Sequence, residues 1–168
     1  MAIEIERKFL LANEGWRAAA TRSDHLIDGL ITRSNGGKVR VRLGSEKAWL
    51  TVKGARHGIA RSEFEYEIPL ADAAEMIQTV CDGPAVEKIR YTVPFADLVW
   101  SVDVHMGPLA GIEFAEVELR HADEFISLPP WAGAEITHDP RFRKETLLRR
   151  CAEAARPRPE IARHVPAS

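Results

Sequence analysis

Ionisable side chains recur at every second residue through much of this 168-residue sequence. EIERK sets Glu4, Glu6 and Lys8 on alternate positions; KVRVRL gives Lys38, Arg40 and Arg42; LTVK gives Thr51 and Lys53; SEFEYEI gives Glu63, Glu65 and Glu67. EKIRY adds Lys88 and Arg90, SVDVH adds Asp103 and His105, and AEVELR adds Glu116, Glu118 and Arg120. Guanidinium forks and ammonium groups are the side chains that hold phosphate oxygens. One polyanion would satisfy Lys8, Arg40, Arg42, Lys53, Lys88 and Arg90 together. Carboxylates in the same set suit a divalent cation, and Mg²⁺ takes a few carboxylate oxygens together with waters and substrate phosphates. The pattern points to the chemistry of a metal–polyphosphate complex, with Glu4 and Glu6 on the metal and Lys8 on a phosphate.

Residues i, i+2 and i+4 share one face of a strand, so these charges require strands to position them. Strands are predicted over 3–10, 25–32, 38–43, 48–53, 60–68, 85–93, 98–105 and 113–119. SNGGK and GSEK between neighbours read as hairpin turns, which favours antiparallel pairing. A solvated sheet face also alternates. Here, however, the alternate positions are almost all ionic, and like charges are bunched within single strands, where they repel. Eight strands closing into a barrel would turn these faces into one lumen and send the apolar faces outwards against helices. The expected class is therefore α+β, mainly β: a closed or nearly closed antiparallel eight-stranded barrel with flanking helices. Helical spacing predicts helices over 70–81, 122–126 and 143–155. Residues 1–155 read as a single domain, and the proline- and arginine-rich 156–168 as a flexible tail.

Composition narrows the function by exclusion. A net charge of −2 exerts no global pull on nucleic acid or anionic membrane, and no apolar run is long enough to span a bilayer. The N-terminus lacks a signal-peptide pattern, which predicts a cytoplasmic protein. Cys81 and Cys151 have no His or Cys at ligand spacing and read as reduced thiols. There is no G-x-S-x-G and no P-loop, so covalent catalysis has no nucleophile motif here. The four tryptophans read as packing residues rather than a base-stacking platform. His105 shares the Asp103 face, as a ligand, a base or a hydrogen-bonded spectator.

EIERK, VRVRL, LTVKG, RSEFE, VEKIRY, VDV, EVEL and DPRF occur in an order and spacing that resembles the CYTH domain, or triphosphate tunnel metalloenzyme superfamily, from Ile3 to about Leu148. The resemblance implies an eight-stranded antiparallel tunnel in which Glu4, Glu6 and Glu118 bind an activating Mg²⁺ or Mn²⁺, with Glu116 and Asp103 also facing the lumen for a second ion. It implies that Lys8, Arg40, Arg42, Lys53, Lys88 and Arg90 grip a triphosphate, that Glu63 and Glu65 line the tunnel, and that Arg141 of DPRF stands beside it. The expected activity is hydrolysis of inorganic triphosphate or a related linear triphosphate by water attack on the terminal phosphorus. Lys88 and Arg90 would offset charge on the transferred or bridging oxygens.

Three residues depart from bacterial relatives of that superfamily. Leu30 stands where a tyrosine is frequent, and Phe142 and Lys144 stand where tyrosine and asparagine are common. Alternatives are class IV-type adenylate cyclase chemistry, thiamine triphosphate hydrolysis, and a non-catalytic polyphosphate or nucleotide binder. The partner expected is a triphosphate-containing small molecule, with neither nucleic acid nor membrane; a homodimer is compatible with the sequence.

Overall fold

The computed structural model describes residues 3–154. The elements are β1 (Ile3–Leu11), β2 (Arg22–Ser34), β3 (Gly37–Leu43), β4 (Ala48–Lys53), β5 (Ala60–Ile68), α1 (Leu70–Thr79), β6 (Val86–Phe95), β7 (Leu98–His105), β8 (Glu113–Glu118), β9 (Ala132–Glu135) and α2 (Lys144–Ala154). The strands follow the order β5-β4-β3-β2-β6-β7-β8-β1-β9, and β5 also pairs with β1, which closes a ring of eight. All of these pairings are antiparallel. Among the described residues no helix is long and apolar enough to cross a membrane.

The alternation of the sequence is the alternation of the ring. Outward positions of β1, β6, β7 and β8 supply Phe9, Val93, Trp100, Val102, Ala115 and Val117 to the largest core cluster. Trp16, on a short 3-10 helix at Gly15–Ala19, and Leu119, Ile126 and Trp131 cover that face. On the other side, α1 lays Ala73, Met76 and Ile77 over Val41 and Ala48. Asp72 in its first turn complements the positive end of the helix.

The ring's inner face changes character along its length. In β1 the inward sequence Glu4, Glu6, Lys8 ends at Leu10; in β8, Glu118 and Glu116 lead to Phe114; in β6, Arg90 and Lys88 lead to Val86. Phe114 and Val86 belong to one buried cluster with Leu109, Ile136 and Leu147, against which Leu10, Phe142 and Leu148 pack. Thus α2 docks on the apolar end of the inner face, whereas α1 packs outside. The helices were both expected outside; parity alone does not say where charge gives way to carbon.

Two further expectations change. The predicted helix over 122–126 is a turn, because five residues gain at most one helical hydrogen bond and Pro129 and Pro130 follow closely. Ile126 is buried in the core, and Glu124 accepts a hydrogen bond from the Arg120 backbone N–H. The four-residue β9, built from AGAE, carries no β-branched residue to announce it. The tail over 156–168 lies outside the described residues.

Candidate active site

Lys8, Arg40, Arg42, Lys53, Lys88 and Arg90 line one cavity of about 920 Å³ within the ring, together with Glu4, Glu6, Glu63, Glu65, Glu116 and Glu118. Six cations at this density would repel one another. Two buried carboxylates behind them supply the counter-charge for Arg40, Arg42, Lys88 and Arg90.

The first is Asp28 on β2. Arg42 Nε and Nη2 donate to its two oxygens at 2.6 and 2.9 Å, and Lys144 Nζ donates at 3.1 Å. Arg40 and Lys88 stand at 3.9 and 3.8 Å. Burial works to raise this carboxyl, but Lys144, Arg42, Lys88 and Arg40 hold it well below the usual carboxylate range. The second is Asp103, which is 1% exposed. Arg90 grips it through Nε at 2.6 Å and Nη2 at 2.8 Å, and Lys88 Nζ donates to it as well. Burial and Arg90 push the Lys88 ammonium down, against the pull of Asp103 and Asp28.

These contacts sort the carboxylates implied as metal ligands. Asp103 is committed to Lys88 and Arg90 on both oxygens and lies beneath the cavity surface; it positions cations rather than facing a metal. Glu116 accepts from Arg90 at 2.7 Å and pairs with Lys8 at 3.1 Å. Glu4 is held by Lys53 at 2.8 Å and by Arg61. Burial would raise Glu4, yet Lys53 and Arg61 take it down to about 2. Glu6 and Glu118 are left with open oxygens. They are Cα partners across β1 and β8, so their side chains leave the sheet side by side. Arg56, at 3.6 Å, is the cation nearest Glu6, and Glu118 forms no ion pair among the described residues. Burial raises the Glu6 carboxyl, and Glu116 and Glu4 raise it further. A cation beside Glu6 and Glu118 would relieve that repulsion. No group of three or more His, Cys, Asp or Glu stands at metal-ligating spacing among the described residues. The protein thus offers an open pair rather than a cage, which suits a divalent ion that completes its shell with phosphate oxygens and water.

On β5, Glu63 pairs with Lys53 at 2.7 Å, and its carboxyl is raised by burial and by a hydrogen bond with Glu4. Glu65 accepts from Thr51 Oγ1 at 3.0 Å, and that hydroxyl accepts from Arg40 Nη2 at 3.1 Å. Arg141, like Asp103, is a predicted site residue that does not line the cavity. It sits on a 3-10 helix at Pro140–Phe142 and closes on Asp139, two residues away, with its side chain 74% exposed.

Sequence reasoning missed Asp28 and Arg61, and Lys144 was noted only as a departure. Arg61 shares the parity of Glu63 and Glu65, a signal that was present; Asp28 stands alone between Leu26 and Leu30, which reads as core. His105 is a buried spectator by its geometry: Nδ1 meets the Ile112 carbonyl at 2.9 Å, while Nε2 has no hydrogen-bond partner among the described residues.

The CYTH domain family matches residues 2–152. The chain is 37% identical over 149 residues to an inorganic triphosphatase of Acetivibrio thermocellus, covering 89% of this chain and 95% of that one. It is 33% identical over 151 residues to an inorganic triphosphatase of Nitrosomonas europaea, covering 86% and 95%. A crystal structure of an inorganic triphosphatase superposes with a TM-score of 0.61 at 31% identity, over 88% of this chain and 95% of that one. With its eight-strand ring and inward charges, the chain belongs to the CYTH domain family.

Proposed function

We propose that this protein hydrolyses inorganic triphosphate, or a related linear triphosphate, in the presence of Mg²⁺ or Mn²⁺. One observation carries the reading: six cations converge on a single cavity, with Arg40, Arg42, Lys88 and Arg90 fixed from behind by the buried carboxylates Asp28 and Asp103, Lys8 by Glu116, and Lys53 by Glu4 and Glu63. Phosphoryl transfer asks for positioning and charge stabilisation more than for covalent chemistry, and preorganised charges supply both. Two relatives above 30% identity named inorganic triphosphatase support the same reading.

Lys8, Arg40, Arg42 and Lys53 grip phosphate oxygens along the chain. Lys88 and Arg90, held by Asp103, offset the charge that develops on the bridging oxygen. A divalent ion beside Glu6 and Glu118 would neutralise phosphate oxygens and orient water. The water oxygen bonds to the terminal phosphorus as the phosphoanhydride P–O bond breaks, releasing orthophosphate and diphosphate. Glu63, whose carboxyl is raised, receives the proton of that water. Glu65 holds Arg40 in place through Thr51. Free thiols at Cys81 and Cys151 fit a reducing, cytoplasmic setting.

Phosphate release from purified protein tests the reading, with inorganic triphosphate, ATP, thiamine triphosphate and diphosphate compared with and without Mg²⁺ or Mn²⁺. Fast metal-dependent release from inorganic triphosphate is expected. Cyclic AMP formed from ATP, or tight binding without turnover, would overturn it.

A further inference from the structure

The cation set does not end with the six. Lys38, on the inner face of β3, lines the cavity and makes no ion pair within 4.0 Å among the described residues. Lys144 reaches the same region from the start of α2 and donates to Asp28 at 3.1 Å. Both residues, with Arg33, Arg40 and Glu145, also line a side cavity of about 90 Å³ beneath α2. The main cavity and the side cavity therefore meet around Lys38.

Cations outnumber carboxylates at this junction. Three carboxylates line the side cavity: Asp28 is taken by Arg42 and Lys144, Glu145 by Arg33, and Asp82 is exposed. Burial lowers the Lys38 ammonium to about 7, and Lys144, Arg61, Lys53 and Arg40 contribute. Glu145 feels the Lys38 charge but is paired with Arg33, so an ammonium kept among cations and turned towards an open cavity can take a further anion. Lys144 lines the same two cavities and can share that anion with it.

We propose that Lys38 and Lys144 form a further phosphoryl-binding subsite at the α2 end of the cavity, adjoining the triphosphate grip through Arg40, which lines both cavities. Its occupant is either the fourth unit of a longer linear phosphate or a free orthophosphate. Lys38 is a specificity-determining residue: it sets how much a fourth phosphoryl group is worth. The inference rests on the triphosphatase reading for its catalytic consequence, though not for binding.

The test compares Lys38→Met and Lys38→Arg with the wild-type protein in two assays. In the first, kcat/KM is measured for tripolyphosphate and tetrapolyphosphate, with orthophosphate as competitor. Lys38→Met should lower the tetrapolyphosphate value about tenfold while the tripolyphosphate value changes less than twofold, and Lys38→Arg should restore it. If only orthophosphate competition weakens, the subsite holds and its occupant is free phosphate. Equal losses for both chain lengths would overturn the proposal, since Lys38 would then act through the general field of the cavity; no change in any arm would overturn it too. The second assay measures binding of both phosphates by calorimetry without metal. Selective weakening of tetrapolyphosphate or orthophosphate in Lys38→Met, in a protein that hydrolyses neither chain, keeps the subsite and removes the hydrolase reading.

Discussion

Asp28 on β2 and Lys144 at the first position of α2 meet at 3.1 Å although 116 residues separate them. The contact joins the helix at the apolar end of the ring to the counter-charge of the cation set. Arg33 and Glu145 form a second ion pair across the same boundary. Docking of α2 and organisation of the cations are thereby one structural event.

Asp28→Asn should therefore cost more than its size suggests. It leaves Arg42, Arg40, Lys88 and Lys144 without their shared carboxylate, and breaking a buried pair in this way costs about 3 kcal/mol. Lys144→Met should cost about 1 kcal/mol, because Lys144 retains 24% exposure and Asp28 keeps Arg42. Denaturant unfolding of both variants measures the difference. Equal losses would show that Asp28 serves Lys144 alone. The folded Asp28 carboxyl lies below its unfolded value, so its contribution is present above about pH 4 and lost as pH falls through the folded value.

Glu6→Gln and Asp103→Asn should fail differently. Glu6→Gln removes an open ligand oxygen and should raise the metal concentration needed for half-maximal activity at least tenfold. Asp103→Asn leaves that concentration unchanged and lowers kcat, because it releases Lys88 and Arg90. A metal titration of phosphate release separates them, and an increased metal requirement in Asp103→Asn would place Asp103 at the metal after all. Without phosphate, Mn²⁺ should raise the melting temperature of the wild-type protein more than that of Glu6→Gln.

Arg90→Lys keeps the charge and loses the fork that spans Asp103 and Glu116. The expected result is a fall in kcat of about a hundredfold with a smaller change in KM, since the lost donor acts on charge that develops during the reaction. Steady-state kinetics on tripolyphosphate checks it. A pure KM effect would make Arg90 a ground-state anchor.

Lys38 should give the chain-length preference a pH dependence near neutrality. Its ammonium, lowered to about 7, is charged below that pH and loses its proton above it. The groups around it are Arg33 on β2, Arg40 on β3, Lys53 on β4, Arg61 on β5, and Lys144 and Glu145 on α2. The preference for tetrapolyphosphate over tripolyphosphate should accordingly fall as pH rises through 7 to 9, and binding of the longer chain should take up a proton. Lys38→Met should flatten this profile. A wild-type ratio that stays constant over the range would mean that Lys38 keeps its charge throughout.

The ring was legible in the sequence because period two is a local signal. Glu4, Glu6 and Lys8, or Lys88 and Arg90, declare a common face without knowledge of any partner strand. What the sequence withheld is long-range. Asp28 is a lone charge in HLIDGLITRS, and only its pairing with Arg42 across β2 and β3 reveals its place. Asp103 and Glu6 each sit on the charged alternate face of their own strand and look equivalent in the chain; packing against Arg90 and Lys88 makes one a counter-ion and leaves the other open. Arg141 was misplaced by its motif, because Asp139 lies close enough in sequence to capture it locally. The apolar end of the inner face was present in Leu10, Phe114 and Val86, but only the arrival of α2 gives those residues a meaning.

The ring closes where β1 meets β5 through only three register pairs, Ile3 with Ser62, Glu4 with Arg61, and Ile5 with Ala60, against eight between β6 and β7. Its shortest zipper carries Glu4, which reaches Lys53 on β4 and Arg61 on β5 and so stitches the seam with side chains. Among the laddered amide protons of the ring, those along this seam are accordingly the first that deuterium should replace. Ligand that draws on Lys53 loosens one stitch, while charge placed beside Glu6 tightens the strand that bears it. The rate of exchange at Glu4 and Ile5 is thus a clock set by whatever occupies the lumen, readable without any turnover at all.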